Sequence, residues 1–373
     1  MRVVVIPDTF KGSLLATHAA TIISSALRHV GLSARPVPIA SGGEGTVDCM
    51  LLAAGGFLRE DTVLGPYRDE VTAYRAILHD GTAVVELAQA AGLALTEGRT
   101  DVELATTYGV GQQILAAARE EAEEIIIGLG GSATNDGGCG AAAACGMRFL
   151  DAAGKPFLPV GKTLKKIAAI DPDGFYDVVA DCEIVAMCDV TNPLIGPTGA
   201  AHVFGPQKGA DPATVELLDE GLTHLAELID RDLGYQVASL EGAGAAGGVG
   251  AGVVAFFGGR LERGIEVVLD FVRFDELLAA ADAVVTGEGS FDVLSLTGKA
   301  VEGIARRARH YGVPVHVLAG RVDEHILAEA KEMGIASATA ITPDDMSTGE
   351  AVARSAEMLD LAARKLARRL LGQ

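Results

Sequence analysis

Both ends of this chain alternate short apolar runs, polar loops and amphipathic helices, and that alternation leaves few folds open. At the start, residues 3–6 read as a strand that leads into the loop Pro7-Asp8-Thr9-Phe10-Lys11-Gly12. Leu15, Ala19, Ile22, Ile23, Ala26 and Val30 then recur at helical spacing, with Ser13 placed to cap the helix and Gly31 to end it. Residues 34–39 predict a second strand, 41–46 a glycine-rich loop and 47–54 a second helix. The far end repeats the pattern. A helix over 274–281 precedes a strand at 283–285, which runs into the loop Thr286-Gly287-Glu288-Gly289. A helix near 298–310, a strand over 313–318, a helix over 324–333, a strand over 336–341 and a long helix over 348–371 complete it. Strands alternating with helices predict a parallel sheet.

Two strands from each end finish in polar or glycine-rich loops, and ligands of open α/β sheets sit outside the carboxyl ends of strands. The expected fold is therefore α/β with two domains. A discontinuous Rossmann-like parallel-sheet domain spans 1–64 plus 281–373, and a mixed α/β domain, 65–280, is inserted into it. Within the insert, 71–78 and 82–87 predict a hairpin through His79-Asp80-Gly81, a type I′ signal. A helix lies within 103–122, a strand at 125–127, strand-rich chain over 178–190 and a helix over 212–230. The small-residue run 242–259 predicts a close-packed helix.

Charge narrows the function. At −20, the whole-molecule field repels phosphate backbones and anionic lipid, which argues against nucleic-acid and membrane partners. No stretch reaches 18 uninterrupted apolar residues, and residues 1–8 read as a strand, so a cytoplasmic location is expected. An anionic substrate would need local cations and N–H donors. The five cysteines match no zinc spacing and sit among Ala, Gly or Val, as small buried hydrophobes do. Residues 156–163 are no P-loop, because Pro156 stands where the first glycine belongs, and there is no G-x-S-x-G elbow. Gly242, Gly244 and Gly247 fit G-x-G-x-x-G, but residues 236–241 make a poor strand.

The richest chemistry follows the strand Ile125-Ile126-Ile127. Six glycines, Ser132, Thr134, Asn135 and Asp136 lie between that strand and Ala141, a layout that can aim backbone N–H groups at an anion. Gly130 and Gly131 would supply close backbone approach, and Asn135 and Asp136 side chains for a hydroxyl or a metal-bound water. Lys11 at a helix start, with Asp8 beside it, and Lys208 in Phe204-Gly205-Pro206-Gln207-Lys208-Gly209 are seats for phosphate or carboxylate. Glu44, framed by Gly42, Gly43 and Gly45, and Glu288 with Asp292 could hold Mg²⁺ or position a hydroxyl. Asp189, after an apolar run and before Asn192, suits a general base, a metal ligand or an Asx-turn. The reaction class that best uses these parts is phosphoryl transfer to a small hydroxy acid.

These loops, in this order, resemble those of the bacterial class II glycerate kinases. The matching pieces are 8–13, 42–46, 105–109, 128–138, 189–194, 203–210, 245–248 and 287–299, which together span nearly the whole chain. The resemblance implies ATP-dependent phosphorylation of D-glycerate, typically to 2-phosphoglycerate and otherwise to 3-phosphoglycerate, with Mg²⁺. On this reading Asp189, Lys11 and Asp8 are the catalytic candidates. Ser13, Gly42, Gly43, Glu44, Gly130, Gly131, Ser132, Asn135, Asp136, Asn192, Lys208, Glu288 and Lys299 would bind substrate or nucleotide, and Asp292 and Glu288 a metal. The partners implied are glycerate and ATP, and a homo-oligomer is left open. Two positions depart from the family pattern. Ser41 stands where Asp is usual, and Leu294 where Gln usually precedes the serine. The alternative they raise is a kinase homologue that binds a metabolite with little turnover, or acts on another hydroxy acid.

Overall fold

The computed structural model describes every residue except Ser41, Gly298, Asp344 and Gln373. The strands, in chain order, are β1 (Arg2–Val5), β2 (Ser33–Pro36), β3 (Gly56–Leu64), β4 (Glu70–Leu78), β5 (Ala83–Glu86), β6 (Glu124–Gly128), β7 (Arg148–Leu150), β8 (Pro156–Phe157), β9 (Ala169–Asp171), β10 (Glu183–Met187), β11 (Arg260–Glu262), β12 (Ala283–Phe291), β13 (Val315–Val322) and β14 (Ile335–Ala340). The chain divides into two compact units. A terminal unit comprises Met1–Ser41, Asp48–Ala54 and Ile265–Gln373, and a central unit Gly42–Val47 and Gly55–Gly264.

The terminal unit is built on a five-stranded sheet of order β14-β13-β12-β1-β2, every neighbouring pair parallel. Val3, Val4, Val5, Val284 and Val285 are all buried, as strands covered on both faces require. Helices Ala16–His29 and Ser355–Leu370 lie against one face. Ala19, Ile23, Leu27, Leu359 and Leu366 share a core there with Val3, Val5 and Val285. Each such Leu or Ile contributes about 1.5–3 kcal/mol when buried. From β1 the chain steps to β2 on one side, whereas β12, β13 and β14 step away on the other. The strand order therefore reverses between β1 and β12, and the crevice outside their carboxyl ends is this sheet's topological switch point.

Several expectations need correction in this unit. Ser13 does not cap the first helix. Leu15 is its N-cap, without a side-chain cap, and Ser13 Oγ instead donates to Phe10 O at 3.1 Å within a tight turn. β12 and β13 do not stop at their glycines. Their ladder continues through Glu288↔Ala319 and Ser290↔Arg321, so Glu288 is a strand residue rather than a loop residue. Gly287 is required there because a Cβ would run into the Leu318 carbonyl oxygen on β13 and meet the Phe10 ring at 2.9 Å. The closing helix is two, Thr348–Ala353 and Ser355–Leu370, broken at Arg354.

The central unit carries a six-stranded sheet of order β11-β10-β6-β5-β4-β3 and a small sheet β8-β7-β9. β5, β6, β10 and β11 are parallel neighbours, while β3, β4 and β5 form antiparallel pairs. Ile125, Ile127, Ile184 and Ala186 pack with Ile114 and Ala117 of the helix Tyr108–Arg119 and with Val249 and Val253 of the helix Ala245–Phe257. A second core gathers Leu222, Leu225 and Ile229 of the helix Pro212–Leu233 with Phe149 and Phe256.

β3 pairs with β4 along its length, so residues 55–64, expected in the first domain, fall in this unit. At the other border the return to the terminal unit comes at Ile265, ahead of the expected 281. The polar run Arg59-Glu60-Asp61-Thr62 hid β3, which is an edge strand exposed along much of its course. The β4–β5 hairpin forms as expected, but its turn is not type I′. Gly81 alone has positive φ (+93°), and its N–H closes on Leu78 O. Residues 177–180 are a helical turn rather than strand. The helix over 245–257 opens with left-handed Ala246, Gly247 and Gly248.

All five cysteines are buried outside any disulfide, Cys49 in the terminal unit and Cys139, Cys145, Cys182 and Cys188 in the central one. Among the described residues no helix is long and apolar enough to cross a membrane.

Candidate functional site

Each unit gathers a polar cluster at the carboxyl ends of its parallel strands. In the terminal unit the loop after β1 is pinned to β12, since Asp8 N–H donates to Gly287 O at 2.9 Å. That sets half-buried Asp8 and exposed Lys11 beside the strand end bearing Glu288. Glu288 Oε1 is buried and has no hydrogen-bond partner. Burial, reinforced by the charges of Asp8 and Asp292, pushes the Glu288 carboxyl up to about 7, against the opposing hydrogen bond from Ser295 and the charge of Lys299. Ser295 is itself buried, accepting from Asp292 N–H at 3.1 Å.

Asp292 does not present a free carboxylate. Its Oδ1 accepts from Leu294 N–H at 2.9 Å and its Oδ2 from Ser290 Oγ at 3.2 Å, which caps the short turn Val293–Leu296. Among the described residues no three His, Cys, Asp or Glu side chains come together as a metal site. Asp292 thus caps this turn beside the half-buried Glu288. Lys299 is exposed and opens the helix Ala300–His310. Leu294 is 58% exposed, whereas Ser41, the other departure from the family pattern, lies outside the described residues.

In the central unit the glycine loop after β6 is mostly buried. Gly131 is exposed and Gly130 half-buried, while residues 132–140 are all buried. Asp136 takes the donors expected to face a ligand. It accepts from Thr107 N at 2.8 Å, Thr107 Oγ1 at 2.9 Å, Gly138 N at 3.1 Å and Gly140 N at 3.2 Å. Burial raises its carboxyl above the ordinary value, and these hydrogen bonds oppose the rise. Asp136 thus ties the segment at Thr107 to the start of the helix Cys139–Ala144 and is not a ligand-facing acid.

Beside it Lys208 is buried. Its Nζ donates to Thr134 O at 2.6 Å and reaches Ser132 Oγ at 3.5 Å. Desolvation draws this ammonium down to about 7 despite the charge of Asp136. Asn135 is fully buried with neither amide atom hydrogen-bonded. Residues 42–44 lie over this loop: Gly130 N–H donates to Gly42 O at 2.8 Å, and a Cβ on Gly42 would sit 2.8 Å from Met187 Cβ. Gly43 is half-buried and Glu44 exposed.

Asp189 is exposed, and its Oδ1 accepts from Gly264 N–H at 2.8 Å, fastening the loop after β10 to the chain that follows β11. Asn192 Nδ2 donates to Thr198 O at 2.8 Å. Two residues escaped the sequence reading. Glu86, at the end of β5, is buried and accepts from Val47 N–H at 2.7 Å, anchoring the 42–47 segment. An acid closing the apolar run Ala83-Val84-Val85 was its available signal. Thr107 lay within the matching piece 105–109 but was not singled out as a site residue.

Fold and clusters together define a two-unit α/β protein whose polar groups collect outside the ends of parallel strands. The family model described as "Glycerate kinase family" matches residues 3–371. A glycerate kinase of Halalkalibacterium halodurans is 44% identical over 369 residues, covering 98% of this chain and 97% of that one. The glycerate 2-kinase of Escherichia coli K12 is 42% identical over 330 residues, 87% of each chain. A crystal structure from Salmonella typhimurium LT2, of a protein labelled glycerate kinase 2, superposes with a TM-score of 0.89 at 39% identity and covers 100% of this chain and 98% of that one. The chain belongs to the glycerate kinase family.

Proposed function

We propose that this chain is a glycerate kinase that moves a phosphoryl group from ATP to a hydroxyl of D-glycerate, giving 2-phosphoglycerate or its 3-isomer. The observation that carries the reading is the family match over residues 3–371. The chemistry asks for little covalent work. The acceptor hydroxyl loses its proton, a new O–P bond forms, and the bond to ADP breaks. Lys11, Lys299 and Lys208 are cations for the anionic groups, which matters in a chain of net charge −20. The backbone at Gly130 and Gly131, the side chains of Ser132 and Asn135, and residues 42–44 are candidate contacts for glycerate or nucleotide. Ser13, Asp136 and Asn192 act through local structure, since their polar atoms serve neighbouring chain.

Mg²⁺ would arrive on the nucleotide phosphates and keep several waters, as this ion prefers. When bound it neutralises phosphate charge. We take the cytoplasm, where ATP is available, as its compartment. The alternative of a binding homologue turns on Leu294, whose side chain is 58% exposed.

A coupled ADP-release assay with Mg·ATP tests the proposal, run on D-glycerate, L-glycerate and other small hydroxy acids with the product isomer resolved by NMR. Turnover on D-glycerate is expected. Silence on every acid, with ligand binding intact, would instead support the non-catalytic homologue.

A further inference from the structure

We infer that Glu288, and not Asp189, is the group that takes the proton from the acceptor hydroxyl, and that this hydroxyl sits in the crevice between the ends of β1 and β12. The inference rests on the kinase reading above.

Four observations lead to it. The strand order of the terminal sheet reverses between β1 and β12, which is where open α/β sheets bind ligands. Glu288 stands at that point, on the last part of β12, with the β1 loop tied alongside through Asp8 N–H and Gly287 O. Gly289 follows it, where a Cβ would press on Lys11 N at 3.2 Å, so the loop bearing Asp8 and Lys11 runs close against the strand. Finally, Oε1 of Glu288 is buried without a partner. Burying an acceptor without a partner costs stability, and no hydrogen bond among the described residues uses that atom.

Asp189 lacks these properties. It is exposed, and its carboxylate holds the Gly264 amide, which is the job of a loop fastener. In the step itself, the acceptor O–H bond breaks and its proton passes to Glu288 Oε1 as the oxygen attacks the γ-phosphorus. The electron pair of the cleaved P–O bond leaves on ADP. The proton is then released to water, returning the carboxylate.

The test compares steady-state kinetics of the full chain with those of Glu288→Gln, Glu288→Asp and Asp189→Asn, with Mg·ATP and D-glycerate, each variant first checked for its thermal transition. The amide keeps the shape of Glu288 and removes the base, so kcat should fall at least 100-fold while KM for D-glycerate moves less than about threefold. Glu288→Asp should recover part of the loss, and Asp189→Asn should keep more than a tenth of kcat. A folded Glu288→Gln chain within threefold of the parent kcat overturns the inference, as does a 100-fold loss in Asp189→Asn with Glu288→Gln intact. If the parent chain itself does not phosphorylate D-glycerate, the kinase reading has failed rather than the placement of its base. The same comparison then applies to whichever hydroxy acid the parent does phosphorylate, and no turnover on any acid overturns the inference as well.

Discussion

Asp136 and Glu288 are both acids with neighbouring glycines that follow an apolar run, yet the structure uses them in opposite ways. Asp136 is buried under four short hydrogen bonds from Thr107, Gly138 and Gly140. Glu288 is half-buried, with Oε1 buried and without a partner among the described residues. A satisfied buried carboxylate is scaffold, and an unsatisfied one is held at a cost that the fold alone does not explain. The glycines around them differ in purpose too. Those after Asp136 serve its turn, with Gly137 and Gly138 at positive φ, whereas those beside Glu288 let the β1 loop pass close to a strand.

The comparison breaks most visibly at Asp136. Asp136→Ala leaves Thr107, Gly138 and Gly140 donors unpaired in the interior, and the expected loss is about 4 kcal/mol or more. Urea denaturation measures it, and a loss under about 1 kcal/mol would return Asp136 to the candidate ligand-binding residues.

Lys208→Met should act the other way at low pH. The folded-state pKa of Lys208, about 7, lies below its unfolded value, so the chain carries the full cost of charging it below pH 7. That cost fades as pH rises toward the unfolded pKa. The variant should be more stable by about 2 kcal/mol at pH 6 and less stable by about 1 kcal/mol near pH 10, where only the hydrogen bond to Thr134 O has been lost. A stability difference that does not change sign across that range would mean the ammonium is not desolvated as the structure has it.

Glu288→Gln sharpens the contrast with Asp136 by a smaller amount. The raised carboxyl favours folding of its protonated form, so stability is gained as pH falls through about 7 and the penalty is complete above it. Allowing for its partial exposure, the amide should stabilise the chain by about 1–2 kcal/mol at pH 8, with the difference vanishing below the unfolded carboxyl pKa. Thermal melts at pH 8 and pH 4.5 would read it. The smallest effect is expected at Ser13. Ser13→Ala should stay within about 0.5 kcal/mol, whereas a true N-cap would lose about 1 kcal/mol.

The parallel sheet of the terminal unit was legible because Val3, Val4, Val5, Val284 and Val285 are runs that only a strand buried on both faces explains. β3 was not, because an edge strand can be polar at Arg59, Glu60 and Asp61 without penalty. The continuation of β12 was hidden for another reason. Glycine reads as a loop residue, while here the close approach of the Leu318 carbonyl and of Phe10 demands it inside a strand. Side-chain type identified the polar loops but could not tell donors spent inside the fold from those left over. Ser132, Thr134 and Asp136 are the types that hold a ligand, yet most of their polar atoms serve one another, Lys208 or Thr107. That allocation depends on residues distant in sequence, so no local pattern announces it.

The buried cysteines give the molecule a built-in clock. Cys49 belongs to one unit and Cys139, Cys145, Cys182 and Cys188 to the other, and all five thiols are shielded from solvent. Burial also raises the pKa of each of the four in the central unit, so thiolate there is scarce while the chain is folded. An alkylating reagent can therefore mark each sulfur only when the chain around it opens. Peptide mapping of timed labelling would record the opening of each unit separately, without introducing a single probe.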